Sequence, residues 1–197
     1  MTRASTALAT RRRPSRREEL LAAAARLFAE RGFARVTVDE IGAACGISGP
    51  ALYHHFPSKE SMLGEMLLAV SDHLLARGSE IARRASDPSG ALRNLVDEHI
   101  SFAVRSPELI TVYARDIVHV PAGDATEIRR LQRRYVELWV DVLRAMVPEL
   151  EPRRAKAAVH AVFGLLNSTP FTGSLPSSEM TALLRVLADA ALDELVR

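Results

Sequence analysis

Apolar side chains recur every three or four residues along most of the chain, which is the spacing of amphipathic α-helices. Strand-like alternation is confined to the short fragment ARVTV at 34–38, which leads directly into a helix start. The ten prolines fall between the periodic segments, at places where a helix can begin or end but not continue. The pattern therefore predicts an all-α fold of about nine helices.

Capping residues, glycines and prolines set the predicted bounds of these helices. Ser15 with Glu18, and Thr37 with Glu40, have the spacing of capping boxes, and Gly46 closes the second helix. The predicted helices run over 15–31, 37–45, 49–55, 58–84, 89–105, 108–118, 124–147, 151–168 and 177–196. In the seventh, one buried stripe is predicted from Ile128, Leu131, Tyr135, Leu138, Val142 and Met146.

The composition narrows the class of protein. A chain of 197 residues with 48% hydrophobic content can bury a core of its own. Its single cysteine, Cys45, excludes an internal disulfide framework and a Cys/His zinc site, and the scattered histidines predict no metal site. No window approaches the roughly 18 uncharged apolar residues of a membrane span. We expect a soluble, cytoplasmic protein without a membrane partner or a cofactor.

Positive charge is concentrated at the N-terminal end of the chain. Residues 1–59 hold ten Lys/Arg against five Asp/Glu, whereas the remainder holds sixteen against nineteen. A local excess of positive charge is typical of proteins that bind a polyanion. A basic tail can equally be a solubilising extension, and both readings of residues 1–13 stay open.

Two short helices separated by a glycine turn stand out near the N-terminus. The segment GISGPALYHHFPSKE at 46–60 gives the second of them a sharp start and a sharp end. Such a pair is a helix-turn-helix arrangement, whose second helix lies in the DNA major groove in proteins that use it. On a helical wheel, Leu52 and Phe56 share an anchoring face, and Gly49, Pro50, Tyr53 and His54 point away from it. Taken alone, ordinary packing and solvation would also explain Tyr53 and the two histidines.

The window TVDEIGAACGISGPALYHHFPSKESML at 37–63 resembles the DNA-binding motif of the TetR family of bacterial one-component regulators. That motif reads T-V-x-x-I-A-x-x-A-G-V-S-x-x-x-L-Y-x-H-F-x-S-K-E-x-L, and FAERGF at 28–33 supports the resemblance. Gly42 and Cys45 depart from the motif, each replacing an alanine that packs the first helix of the pair. The resemblance implies a three-helix DNA-binding head followed by a helical ligand-binding and dimerisation domain.

The resemblance also implies roles for individual residues. Thr37, Tyr53 and Lys59 would contact phosphates, and Ser48, Gly49, Pro50 and Ala51 would face base edges. His55 matches the motif histidine and His54 lies beside it, so both are candidate DNA contacts. Gly49, Pro50 and Ala51 offer no side-chain hydrogen bonds, so specificity is predicted to rest on shape and on thymine methyl contacts. A homodimer would present two such helices to successive major grooves of a palindromic or near-palindromic operator.

The domain organisation follows from these assignments. Residues 1–13 are predicted to be a disordered basic tail, 14–60 the helix-turn-helix domain, and 61–197 the effector-binding and dimerisation domain. If the tail contacts DNA, its deletion is expected to weaken operator binding at moderate salt.

The last two predicted helices carry broad apolar faces suited to dimerisation. These faces consist of Ala158, Ala161, Val162 and Leu165 on one helix, and Leu183, Val186, Leu187 and Ala190 on the other. Gly164 and the alanines would allow close approach of a second copy.

An effector pocket is predicted among the helices from 92 to 171. The candidate residues are His99, Phe102, Tyr113, Trp139, Met146, Phe163, Asn167 and Phe171. Apolar walls with a few polar groups suit a hydrophobic or amphipathic ligand, although each aromatic residue alone is equally a core residue. The segment FGLLNSTPFTG at 163–173 is either part of the ligand wall or simply a capped helix end.

The resulting hypothesis is a repressor released from its operator by a small hydrophobic or amphipathic effector, such as a drug, a fatty acid or an acyl-thioester. Alternatives are an activator and an effector-independent DNA-binding protein. No enzyme is expected, because G-x-S-x-G, HExxH, P-loop and dinucleotide motifs are missing from the sequence. The identity of the effector stays open.

Overall fold

A computed structural model describes residues 15–172 and 175–196, and in these ranges the chain is helical without any strand. The nine α-helices are α1 (Arg16–Arg31), α2 (Val38–Ala44), α3 (Gly49–Leu52), α4 (Lys59–Arg84), α5 (Pro88–Arg105), α6 (Pro107–Asp116), α7 (Ala122–Met146), α8 (Pro152–Leu166) and α9 (Ser177–Val196). Short 3-10 helices cover Phe33–Arg35, Ile117–His119 and Thr169–Phe171. The predicted all-α fold is confirmed, and the predicted basic tail at 1–13 lies outside the described residues.

The predicted capping boxes form at both early helix starts. Glu18 N donates to Ser15 Oγ at 3.2 Å while Ser15 N donates to Glu18 Oε2 at 2.6 Å. Thr37 and Glu40 make the equivalent pair at the start of α2, at 3.2 and 2.8 Å. Each box satisfies backbone N–H groups that have no partner within the helix, so these starts follow from local sequence.

Helix α3 is shorter than predicted, since regular α-helix ends at Leu52 and 53–55 form a turn. The N–H groups of Tyr53, His54 and His55 donate to carbonyls three residues earlier, at 3.2, 3.3 and 2.9 Å. The helix ends here because Pro57 disfavours helical backbone angles at Phe56, the residue that precedes it. The second helix of the pair is therefore little more than one turn.

Two hydrophobic clusters form the interior. The head cluster joins α1, α2 and α3 to the start of α4, and it also includes Val112 of α6 and Ile128 of α7. The body cluster is built from the rest of α4 and α7 with α5, α8 and α9. Helices α4 and α7 contribute to both clusters, so packing continues across the boundary predicted at 60/61, and that boundary stays a prediction.

The buried stripe of α7 differs from its predicted course in its second half. Ile128, Leu131 and Tyr135 are buried as expected, but beyond them Trp139 and Leu143 take the core positions. The predicted members Leu138, Val142 and Met146 are half-buried. Both series satisfy the helical period, and they differ by one residue, or about 100° around the helix, which only the neighbouring helices decide. No described helix is both long and apolar enough to cross a membrane.

Candidate nucleic-acid interface and ligand cavity

Helices α2 and α3 form the predicted helix-turn-helix pair. Gly46 makes the turn with a φ of 69°, and Ile47 N donates across it to the carbonyl of Gly42 at 3.0 Å. Leu52 and Phe56 are fully buried in the head cluster and anchor α3, as predicted. Side chains on the opposite side are exposed, and these are Thr37, Ser48, Pro50, Tyr53 and His54. Ala51 and His55 are half-buried at the edge of this face.

Gly49 corrects the predicted base-reading set. It is buried against α2, and a Cβ added there would lie 1.7 Å from Asp39 Oδ1 and 3.3 Å from Asp39 Cα. The wheel misplaced this residue because it treated α3 as a free helix, whereas the first residue of α3 packs directly on α2. Gly49 thus permits the close approach of the two helices instead of facing outward.

Lys59, for which the family motif implies a phosphate contact, is held by contacts within the chain. Its Nζ donates to the carbonyls of Phe33 and Val36 at 2.9 and 2.8 Å, and it lies 4.3 Å from the centroid of the Phe33 ring. Two of the three ammonium donors are therefore engaged inside the chain. Lys59 thus ties the 3-10 helix after α1 to the start of α4, and its role as a phosphate ligand stays a prediction.

Two arginines of α1 are held in a similar way. Arg17 donates from Nε to a carboxylate oxygen of Glu65 at 2.6 Å and from a second nitrogen to the carbonyl of His55. Its guanidinium carbon also lies 4.2 Å from the centroid of the Phe56 ring. Arg16 donates to the carbonyl of Cys45. These contacts connect α1 with the ends of α2 and α3, so part of the N-terminal positive charge serves the packing of the head.

A cavity of about 550 Å³ lies in the body among α4, α5, α6, α7 and α8. Its size falls within the range of small-molecule sites. It is lined by Val70, Ser71, Leu74, His99, Phe102, Leu109, Ile110, Tyr113, Arg129, Gln132, Arg133, Tyr135, Val136, Lys156, His160, Phe163 and Asn167. Five of the eight residues predicted for an effector pocket, His99, Phe102, Tyr113, Phe163 and Asn167, therefore lie together in its wall.

The other three predicted residues lie elsewhere. Trp139 is fully buried one layer behind the wall, edge-on to Phe163 with ring centroids 4.9 Å apart. Met146 is half-buried near the end of α7 and packs on the body cluster. Phe171 is 83% exposed in the 3-10 helix after α8. Each is an apolar residue whose type predicts burial or a pocket, and only packing distinguishes these outcomes.

A neutral histidine organises the inner end of the cavity. The ring of His99 stacks on Phe163 with centroids 4.8 Å apart and on Tyr135 at 5.9 Å. His99 Nε2 lies 3.1 Å from Asn167 Oδ1, and Nδ1 lies 3.3 Å from the Tyr135 hydroxyl. Burial lowers the pKa of His99 to about 4, against a smaller opposing effect of Asn167, and burial also raises the pKa of Tyr135. The neutral tautomer that donates to Asn167 Oδ1 from Nε2 and accepts from the Tyr135 hydroxyl at Nδ1 gives both ring nitrogens a partner.

The end of α8 combines both readings left open for 163–173. Phe163 and Asn167 line the cavity, whereas the buried Thr169 hydroxyl donates to the carbonyl of Ala103 in α5 at 2.8 Å. The segment up to 172 thus contributes to the cavity wall and ends in a tethered helix terminus.

Sequence reasoning missed Arg129, Arg133 and Lys156 of the cavity wall. Arg129 and Arg133 lie one turn apart on α7, and Lys156 and His160 lie one turn apart on α8. All four are exposed, and no described residue forms an ion pair or a hydrogen bond with Arg129, Arg133 or Lys156. No acidic side chain of the described residues lines the cavity. The signal in the sequence was the pair of basic residues spaced by four on two helices that also carry aromatic residues.

Helices α4 and α6 connect the cavity with the head. Val70, Ser71 and Leu74 of α4 line the cavity, while residues of its first two turns belong to the head cluster. In α6, Tyr113 lines the cavity and donates to Gln132 at 2.6 Å. Two residues later, Arg115 donates to the carbonyls of Phe28 and Ala29 at the end of α1 and pairs with the buried Asp116. Arg115 therefore lies at the junction of body and head.

An apolar surface remains open on α8 and α9. Leu183, Val186 and Leu187 are 44%, 65% and 42% exposed, and Ala161 and Ala190 are also exposed. A Cβ added to Gly164 would meet nothing within 4 Å. Val162, which was predicted to join this face, is instead buried in the body cluster. It follows Ala161 directly, and successive residues of a helix point about 100° apart, so it lies beside the open face and not on it.

A helix-turn-helix head that shares three helices, α4, α6 and α7, with a ligand-sized cavity is the architecture of a one-component regulator. Residues 20–66 match the family model of bacterial regulatory proteins of the tetR family, and residues 85–171 match that of the tetracyclin repressor-like C-terminal domain. The chain belongs to the TetR family, in agreement with the resemblance of its motif.

Individual relatives agree with this assignment. The transcriptional repressor KstR2 of Rhodococcus jostii is 38% identical over 135 residues, which cover 68% of this chain and 66% of that protein. KstR2 of Mycobacterium tuberculosis is 36% identical over 138 residues and 68% of each chain. The structure of this ketosteroid regulator covers 92% of the present chain and 95% of its own, with a TM-score of 0.74 and 26% identity. PfmR of Thermus thermophilus is 26% identical, with a TM-score of 0.79 over 91% and 97%. The chain thus spans about two thirds of the curated relatives that it matches.

Proposed function

We propose that this protein is a transcriptional repressor that binds operator DNA as a homodimer and is released by a small hydrophobic or amphipathic effector. One observation carries the proposal: α4 and α6 both line the cavity and both contribute to the core of the DNA-binding head. The name transcriptional repressor given to KstR2 supports the direction of control. Such a protein acts on DNA in the cytoplasm and needs no catalytic chemistry.

Operator recognition is assigned to the exposed face of the helix-turn-helix. Ser48, Pro50 and Ala51 face base edges, and Thr37, Tyr53, His54 and His55 contact phosphates or the edge of the groove. Arginine, lysine, asparagine and glutamine, which read single bases by paired hydrogen bonds, do not occur at 48–55. Specificity therefore depends mainly on groove shape and on methyl contacts.

The second copy of the chain is assigned to the open face of α8 and α9. Two such helices from each protomer form a four-helix interface, and Gly164 with Ala161 permits close contact. A twofold dimer would place two α3 helices on major grooves one helical turn, or about 34 Å, apart.

Release of DNA is a shift between two conformations with different separations of the two heads. A ligand shifts this equilibrium only through a difference in its affinity for the two states. Ligand contacts on α6 and on the middle of α4 provide that difference, because both helices also position α1 and α3.

The proposal is tested by fluorescence anisotropy with the DNA upstream of the gene and with a scrambled fragment of equal length. We expect at least a thousandfold preference for one upstream site and a dimer by light scattering. The variant Val186→Glu/Leu187→Glu should be monomeric and lose this binding, while Arg153→Glu should retain both properties. Equal affinity for both fragments would contradict the proposal.

A further inference from the structure

The charges around the cavity point to the chemistry of the effector, an inference that rests on the proposed function. The aromatic inner wall, with Phe102, Phe163 and the neutral His99, offers contact to an apolar body. The exposed side of the cavity carries two basic pairs without any acidic neighbour among the described lining residues. An apolar wall is complementary to an apolar ligand body, and a basic opening is complementary to an anionic head group.

We propose that the effector is an anionic amphiphile, with a hydrophobic body in the cavity and a carboxylate or phosphate head at Arg129 and Arg133, supported by Lys156 and His160 from α8. The two arginines project from the same face of α7, and arginine presents paired donors that match these oxyanions. A neutral drug would gain no ion pair with the two guanidinium groups, and a cationic drug would be repelled by them.

His99 does not replace these cations as an anion ligand. Both of its ring nitrogens already have partners in Asn167 and Tyr135. It contributes a flat, neutral surface to the body of the ligand, so the selectivity for charge is assigned to the exposed side alone.

The single tryptophan allows a direct binding measurement. Trp139 lies edge-on to Phe163, so filling the cavity should change its fluorescence. We would titrate the full-length protein with decanoate, decan-1-ol and decylamine, which share a chain and differ in head charge. Decanoate is expected to bind at least tenfold more tightly than decylamine, with decan-1-ol between them.

A charge-removing variant locates the head. In Arg129→Gln/Arg133→Gln, decanoate should bind about tenfold more weakly, which corresponds to about 1.4 kcal/mol, while decan-1-ol changes less than about twofold. The control Arg134→Gln/Arg153→Gln removes the same charge from exposed positions of α7 and α8 that do not line the cavity. It should behave as the unaltered protein.

Decyl phosphate and decanoyl-CoA then distinguish the sources of the negative charge. If decyl phosphate or decanoyl-CoA binds more tightly than decanoate, the basic pairs bind a phosphorylated head group. If decanoate binds most tightly of the three, they bind a free carboxylate, and either result supports the proposal. It is overturned if decylamine binds as tightly as decanoate, if the control and the test variant lose equal affinity, or if none of the anionic probes binds. Specific DNA binding by a protein that binds no anionic probe would leave the proposed repressor intact, whereas anion binding without DNA binding would refute only the repressor.

Discussion

The head and the cavity both carry positive charge, but they use it differently. In the head and at its junction with the body, Arg17, Lys59 and Arg115 donate to backbone carbonyls or pair with carboxylates of the chain itself. In the cavity wall, Arg129, Arg133 and Lys156 have no such partner among the described residues. Positive charge alone therefore does not identify an anion-binding site, because the partners that a cation already has decide what it can still bind.

The two regions also differ in the charge state of their titratable groups. The cavity holds its buried base, His99, in the neutral form, whereas the head retains charged side chains at its half-exposed seams. Four predictions test this contrast, beginning with the largest expected effect.

The first prediction concerns the pH dependence of stability. The pKa of His99 is lowered to about 4 in the folded protein from an ordinary value near 6.5, so between these values the unfolded chain binds a proton that the folded chain does not. Its contribution to stability is complete above pH 6.5 and falls as the pH decreases, by about 3 kcal/mol at pH 4. Urea unfolding at several pH values measures the free energy of unfolding of the protein and of the variant His99→Gln. If this free energy had the same pH dependence in both proteins, the assignment of a neutral buried His99 would be refuted.

The second prediction addresses the junction of body and head. Arg115→Met removes the donors to the end of α1 and leaves the buried carboxylate of Asp116 without its guanidinium. We expect a loss of about 2 kcal/mol in the free energy of unfolding. Arg129→Met is the matched control and should change stability by less than about 0.5 kcal/mol. Similar losses in both variants would remove the distinction between the two groups of cations.

The third prediction concerns Lys59 at the start of α4. Lys59→Met keeps the length of the side chain but leaves the carbonyls of Phe33 and Val36 without their donor, which should cost about 1 to 2 kcal/mol. Thermal unfolding at fixed protein concentration measures this loss. Full stability together with weakened DNA binding would instead support the role of a phosphate ligand that the family motif implies for Lys59.

The fourth prediction separates the two sites by their tyrosines. Tyr53 is 55% exposed on the helix-turn-helix face, while Tyr113 donates to Gln132 in the cavity wall. Tyr53→Phe should weaken operator binding about fivefold, equivalent to about 1 kcal/mol for one lost hydrogen bond. Tyr113→Phe should leave the affinity for DNA unchanged in anisotropy titrations without effector. If Tyr113→Phe weakened DNA binding and Tyr53→Phe did not, the assignment of the DNA contact to the helix-turn-helix face would be wrong.

Much of the head could be predicted because its signals are local. The capping boxes at Ser15 and Thr37, the turn at Gly46 and the anchors Leu52 and Phe56 depend on residues within a few positions of one another. Gly49 escaped this reasoning because its neighbour is Asp39, ten residues earlier in the chain. The wheel used for α3 also assumed two regular turns where the structure has about one.

The cavity was predictable only in part, since residue type and spacing do not separate a core aromatic from a wall aromatic. Phe163 and Trp139 are in contact, yet only Phe163 lines the cavity. Phe171 satisfies the same compositional rule and is exposed. Basic residues spaced by four, like those of α7 and α8, also occur on ordinary solvated helix faces, and their relation to the aromatic wall exists only after the helices pack.

The amino-acid sequence by itself determined the helical class, the helix starts, the helix-turn-helix motif and the family, because each depends on short-range periodicity, capping or motif spacing. Only the tertiary structure decided which cations are held within the chain, which aromatic residues enclose space, and how α4 and α6 join the cavity to the head. Those properties depend on contacts between residues far apart in sequence, where many side chains of suitable type compete for few positions and packing selects among them.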